Sequence, residues 1–133
     1  MSLYNAEPFT FDGMVSQLCS ITKNFPDKRT GDNTFYSITD AALGAFAVFF
    51  TQNPSFLAFQ DDMQKSKGKS NAQTLFIMDK IPCDNHIRDL IDEVHPSHIL
   101  PMFSYIFNGL NTFGYLDEYR SINNTLLIAL DGT

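Results

Sequence analysis

The sequence predicts an all-α fold: a compact multi-helix bundle with a helix-turn-helix-like pair, followed by one C-terminal strand segment. Three observations predict it. Apolar residues recur at helical spacing in successive windows, the first at Phe11, Met14, Val15, Leu18, Cys19, Ile21 and Phe25. Such spacing gives a helix one buried face. Capping residues and prolines punctuate these windows, as helix starts and stops require. The chain departs from this pattern at its end, where Leu126 to Leu130 form a continuous apolar run that stops at Asp131-Gly132. A short apolar run bounded by turn residues reads as a buried strand.

The elements follow in order. Residues 1–9 lack periodicity and read as a disordered or tag-derived N-terminus; residues 10–124 form the helical domain and residues 125–133 the strand segment. Thr10 caps the first helix and Pro26 stops it. Residues 26–36 carry turn chemistry and read as a loop. Ser37 or Thr39 caps a second helix, and Ala41 to Phe50 is almost wholly apolar. A helix apolar all round is central, so Phe46 or Phe49 is expected to be buried. Asn53 as cap and Pro54 at the first helical position open a third helix, to about Met63, with Phe56, Leu57 and Phe59 toward the core.

Gln64 to Ser70 is polar, and Asn71 opens a short helix through Met78. Pro82 interrupts it. Asp84 caps the next helix, with Ile87, Leu90, Ile91 and Val94 on one face. Pro96 starts a longer one, through Ile99, Leu100, Met102, Phe103, Ile106, Phe107 and Leu110, with Pro101 in its first turns. Phe113-Gly114 ends it, and Asn123-Asn124 turns the chain into the strand.

Composition narrows the function. At 133 residues the chain fits one domain, and 44% apolar residues suffice for a core. No apolar run reaches the ~18–20 residues of a membrane span. Nothing near Met1 has the order of a signal peptide. Cys19 and Cys83 are too few for a disulfide framework; reduced thiols in a cytoplasm are expected. The net charge is −6, which opposes generic nucleic-acid binding, since phosphate contacts need Lys and Arg. Lys65, Lys67 and Lys69 form a basic cluster that reads first as a solvated loop.

Residues 72–94 read as helix, Ile-Pro-Cys-Asp turn, helix. In a helix-turn-helix the second helix offers its first residues to the major groove. Asn85, His86, Arg88 and Asp89 would be those residues, with Lys80 and the lysine cluster on phosphate; Asn reads adenine and Arg guanine bidentately. Against this, Asp84, Asp89, Asp92 and Glu93 make the helix acidic. His95 and His98 with Asp92 and Glu93 offer zinc-ligand types, but the spacing crosses a proline, and exposed or capping roles are the simpler reading. Asp12, Asp40, Asp61 and Asp62 read as helix N-terminal or surface acids. No phosphate loop, nucleophile elbow or H-E-x-x-H is present.

Asp131, at the carboxyl end of the strand, is where α/β sheets hold ligands, and an acid there can hold a divalent cation. The stretch Leu126-Leu127-Ile128-Ala129-Leu130-Asp131-Gly132-Thr133 resembles the first catalytic strand of bacterial insertion-sequence DDE transposases. Tyr36 to Phe50, Asn53 to Phe59 and Ile81 to Asp92 resemble that family's N-terminal region, particularly its ISNCY-type members. The likeness covers about residues 25–133 and rests on four stretches in order. It implies that Asp131 is the first acid of a DDE triad, on the first strand of an RNase H-like catalytic domain. In the full-length family, three acids hold two Mg²⁺ ions that activate water or a 3′-hydroxyl against a phosphodiester.

One carboxylate cannot assemble that site. The chain is therefore expected to be the N-terminal part of a transposase, cut at its first catalytic strand, with no enzyme activity and no cofactor of its own. It would help bind transposon-end DNA or assemble the transposition complex. The competing reading is a helical protein-interaction module that self-associates, or joins and inhibits a full-length transposase, without touching DNA.

Overall fold

A computed structural model of the chain describes residues 9–31, 34–65 and 74–129. The calls on Lys67, Lys69, Asn71 and Asp131 lie outside them. Five helices form among the described residues: α1 (Phe11–Thr22), α2 (Ile38–Phe50), α3 (Phe56–Lys65), α4 (Asp84–Ile91) and α5 (Leu100–Thr112). The fold is mainly helical, as the periodicity requires. Among the described residues no helix is long and apolar enough to cross a membrane.

α1 begins as its sequence dictates. Thr10 is extended, and its hydroxyl accepts the Gly13 N–H at 3.1 Å, which satisfies one of the helix's free donors. Val15, Leu18 and Thr22 face inward at i, i+3 and i+7. The Thr22 hydroxyl donates to the Cys19 carbonyl, so this fully buried residue presents no unpaired polar atom to the core. The helix ends at Thr22 rather than Phe25, because the Asn24 and Phe25 N–H groups turn back to Ile21 and Thr22.

α2 is central, packed against α1, α3 and α4. Its buried stripe sets the small Ala41, Gly44 and Ala47 beside Leu43 and Val48. Gly44 lies where α4 crosses, and a Cβ there would be 3.3 Å from Ile87 Cδ1, a tight contact. The expected burial of the large rings on this helix is corrected. Phe49 is 75% exposed and Phe46 only half-buried, because both lie off the stripe that the neighbouring helices cover.

The cap of α3 is Ser55, whose hydroxyl accepts the Ala58 N–H, not Asn53. Phe59 is fully buried, Phe56 packs at the edge of the core, and Leu57 faces water. Thr74 is helical, but the chain leaves the helix at Leu75, so the expected continuation through Met78 does not form. Ile77 takes φ +59, a left-handed value rare for a β-branched residue, and this turn buries Phe76 and Met78 on either side of it. The second helix of the helix-turn-helix-like pair forms; its N-cap position is Cys83, with no side-chain cap bond, so Asp84 is its first residue rather than its cap, and the start of the first helix lies outside the described residues. The core joins Leu18, Leu43, Ala47, Val48, Phe59, Phe76 and Met78.

α5 follows a 3₁₀ turn, Pro96–His98, and packs on α1. Gly109 admits the Phe9 ring, which would occupy the place of any Cβ there; Phe9 also stacks on Phe113. Gly114, at φ +77, ends the helix, and the Tyr115 N–H closes on the Leu110 carbonyl, a left-handed glycine cap. The C-terminal run forms one antiparallel bridge, Arg120 to Leu126, and no strand among the described residues.

Candidate functional site

Among the described residues, those expected to touch DNA do not converge on one surface. Lys65 is paired with Asp61 one turn earlier in α3, and that hydrogen bond raises its pKa. Arg88 Nε donates to Asp84 Oδ1 at 2.7 Å, which raises the guanidinium pKa, and the guanidinium lies toward the Phe56 ring. Lys80 Nζ donates to the Phe35 carbonyl at 3.0 Å and covers the Phe35 ring. His86 Nδ1 lies 2.8 Å from Cys83 Sγ, and Asn85 faces solvent. Lys80 and His86 share one corner, linked by Phe35 and Tyr36, whose rings are 4.8 Å apart; Tyr36 in turn meets His86 at 5.2 Å. Arg88 faces α3 instead. Each cation has a local partner, and α4 adds Asp84, Asp89 and Asp92 between them.

The loop before α2 is tied by Arg29. Its fork binds both Asp27 oxygens, at 2.9 and 2.6 Å, and its third nitrogen donates to the Tyr36 carbonyl. The Arg29 hydrogen bonds hold the Asp27 carboxyl below the ordinary carboxylate range. His95 accepts the Ser97 N–H, and His98 packs edge-on to Phe25, so both histidines have capping or packing roles.

The most distinctive surface lies on α5, for which the sequence shows only a helical spacing. α5 contains no Asp, Glu, Lys or Arg and buries none of its thirteen residues fully. Leu100, Phe103 and Phe107 form an outward ridge, exposed by 57%, 63% and 47%. Beside it, between α2 and α5, runs a groove of about 500 Å³. Leu18 and Thr22 form its floor, Ala42 and Ala45 one wall, Met102 and Ile106 the other. Its sole titratable lining residue is His95, at the rim, and Phe103 belongs to both groove and ridge. The absence of charge in α5 was the available signal that its second face is not a solvated one.

Compared with protein-family models, with curated proteins and with solved structures, the chain finds no match.

Proposed function

We propose that this chain is a non-catalytic helical assembly module, which docks on protein through the uncharged α5 face and serves in building a transposition complex. The observation that carries this reading is the ridge of Leu100, Phe103 and Phe107 on a helix without charge. Interfaces are enriched in aromatic residues and depleted of charge at their centre, and contiguous exposed apolar surface marks interaction sites. The −6 net charge and the local pairing of Lys65, Lys80 and Arg88 weigh the same way, against phosphate contact. The transposase setting comes from the sequence resemblance alone, as do transposon ends and a full-length transposase as partners and Mg²⁺ as the full-length enzyme's cofactor. Under that resemblance Asp131 would be the first acid of the full-length enzyme's triad.

A second reading, contact with transposon-end DNA, is favoured by the corner where Lys80, Tyr36 and His86 meet. Two measurements separate the readings. Gel shift of a duplex at low and moderate salt is expected to show no salt-sensitive complex. An environment-sensitive apolar dye is expected to bind the chain, and Leu100→Glu with Phe103→Glu is expected to abolish that binding with the helical circular dichroism intact. Duplex binding that falls steeply with salt and ignores these substitutions would replace the assembly reading with DNA contact.

A further inference from the structure

We infer that Cys83 and His86 form a reactive thiol site, where a small disulfide exchanges onto Cys83 while His86 takes up the thiol proton. Cys83 holds the N-cap position of α4, where Ser, Thr, Asp or Asn would bond the free N–H groups of the helix. Its side chain makes no such bond. The sulfur turns instead onto His86 Nδ1, at 2.8 Å. A nucleophile and a base within about 2.6–3.2 Å of each other are the arrangement that activates a thiol. Cys83 is half-buried and His86 exposed, so a small reagent can reach the pair from solvent.

The surroundings hold the base in place. Arg29 donates to the Tyr36 carbonyl at 2.7 Å, and the Tyr36 ring lies 5.2 Å from the imidazole, tilted by 59°. The nearest acid in sequence, Asp84, is turned to Arg88 Nε at 2.7 Å. Lys80 is held by the Phe35 carbonyl. His86 is thus the group that meets the sulfur. Negative charge developing there faces the N-terminus of α4, where the helix dipole favours it. Cys19 supplies the contrast within the same chain: it packs against the core from α1, a helix without histidine.

The step is thiol–disulfide exchange. Cys83 Sγ attacks one sulfur of the reagent as its S–H proton passes to His86 Nδ1. A bond forms between Sγ and that sulfur, and the reagent's own S–S bond breaks. Its electron pair leaves on the departing sulfur, which takes the proton from the imidazolium. The protein sulfur is oxidised and the departing sulfur reduced, so one thiol and one disulfide give one mixed disulfide and one thiol. The product is a reversible cap at the surface, removed by any thiol that repeats the exchange.

The probe is 2-hydroxyethyl disulfide, which is uncharged and so indifferent to the net charge of −6. Peptide mass mapping of acid-quenched samples reads each cysteine separately. In the folded chain Cys83 is expected to react at least about tenfold faster than Cys19, and the two rates to converge in urea. His86→Ala and His86→Gln, both at an exposed position, are expected to slow Cys83 about tenfold and leave Cys19 unchanged, with circular dichroism verifying the helices. Free imidazole is expected to restore part of the rate in the alanine variant. Equal rates at the two cysteines in the folded chain overturn the inference, as does a difference that persists in urea. A Cys83 rate unchanged in both His86 variants overturns it too. A slowing that imidazole fails to relieve shows that His86 only positions the sulfur, and the proton-accepting role falls.

Discussion

Asp79 donates its backbone N–H to Asp40 Oδ1 at 2.8 Å, across 39 positions of sequence. The other carboxylate oxygen of Asp40 accepts the Ser37 hydroxyl at 2.8 Å, while the Asp40 N–H returns to the Ser37 hydroxyl oxygen. Asp40 is only 5% exposed. Ser37 caps α2, and the buried Asp40 side chain holds that cap with one oxygen while the other pins the turn that carries Phe76 and Met78 into the core. The Asp40 carboxylate sits in the first turn of α2, where the helix dipole favours an anion, and accepts the Asp79 N–H from the facing turn.

Asp40→Ala is therefore expected to cost about 2–3 kcal/mol, since it removes charged hydrogen bonds and leaves the Asp79 N–H unpaired. Asp40→Asn keeps an acceptor and should cost less. Urea unfolding measures both. A loss below about 0.5 kcal/mol for the alanine variant would show that the turn holds without this tie.

The core gives a sharper contrast. Phe59 and Phe76 are fully buried, whereas Phe49 reaches solvent. Phe59→Ala or Phe76→Ala is expected to cost about 3–5 kcal/mol, and Phe49→Ala to stay within about 1 kcal/mol. Equal losses at all three positions would put Phe49 in the core after all.

That contrast marks what the sequence could say. Helix positions were legible because periodicity and capping are local: Thr10, Ser37 and Pro26 act on their own neighbours. Which face of α2 is buried was not, because a helix apolar all round carries no directional signal; the choice is made by Gly44 and Ala47 admitting neighbouring helices. Asp40 read correctly as a helix N-terminal acid, but its bond to Asp79 depends on a contact 39 residues away. The break after Thr74 rests on Ile77 in a left-handed conformation, which no propensity of isoleucine suggests. The α5 face was half legible: its period gave the helix, and only its lack of charge hinted that water was not the intended cover.

The Asp27–Arg29 pair supplies a pH dependence with a definite sign. Arg29 lowers the Asp27 pKa in the folded chain. A lowered carboxylate contributes stability above its unfolded pKa, about 3.9, and that contribution is lost as pH falls through the folded value. The 26–36 loop is therefore expected to loosen only below about pH 4. Carboxyl-carbon NMR should find Asp27 titrating below an ordinary aspartate, and Arg29→Gln should return it to the ordinary range. No change on that substitution would remove Arg29 as the cause. Because the pair is partly exposed, the effect on global unfolding should be small.

The run after Arg120 makes the last expected outcome. The Arg120 guanidinium binds the Asn124 carbonyl and the Asn111 side chain, and the Ser121 N–H meets the Thr125 carbonyl. These bonds fix the chain as far as the Leu126 bridge. Beyond it, Leu127 and Ile128 are 78% and 69% exposed. Extended backbone with open N–H and C=O groups invites pairing with a further strand. Replacing Leu127 by Lys and Ile128 by Glu is expected to change stability by no more than about 0.5 kcal/mol, as at other exposed sites. The same variant should scatter less light at high concentration, because charges on an open edge block pairing. A cooperative stability loss above about 1 kcal/mol would instead show that these two side chains pack into their own fold.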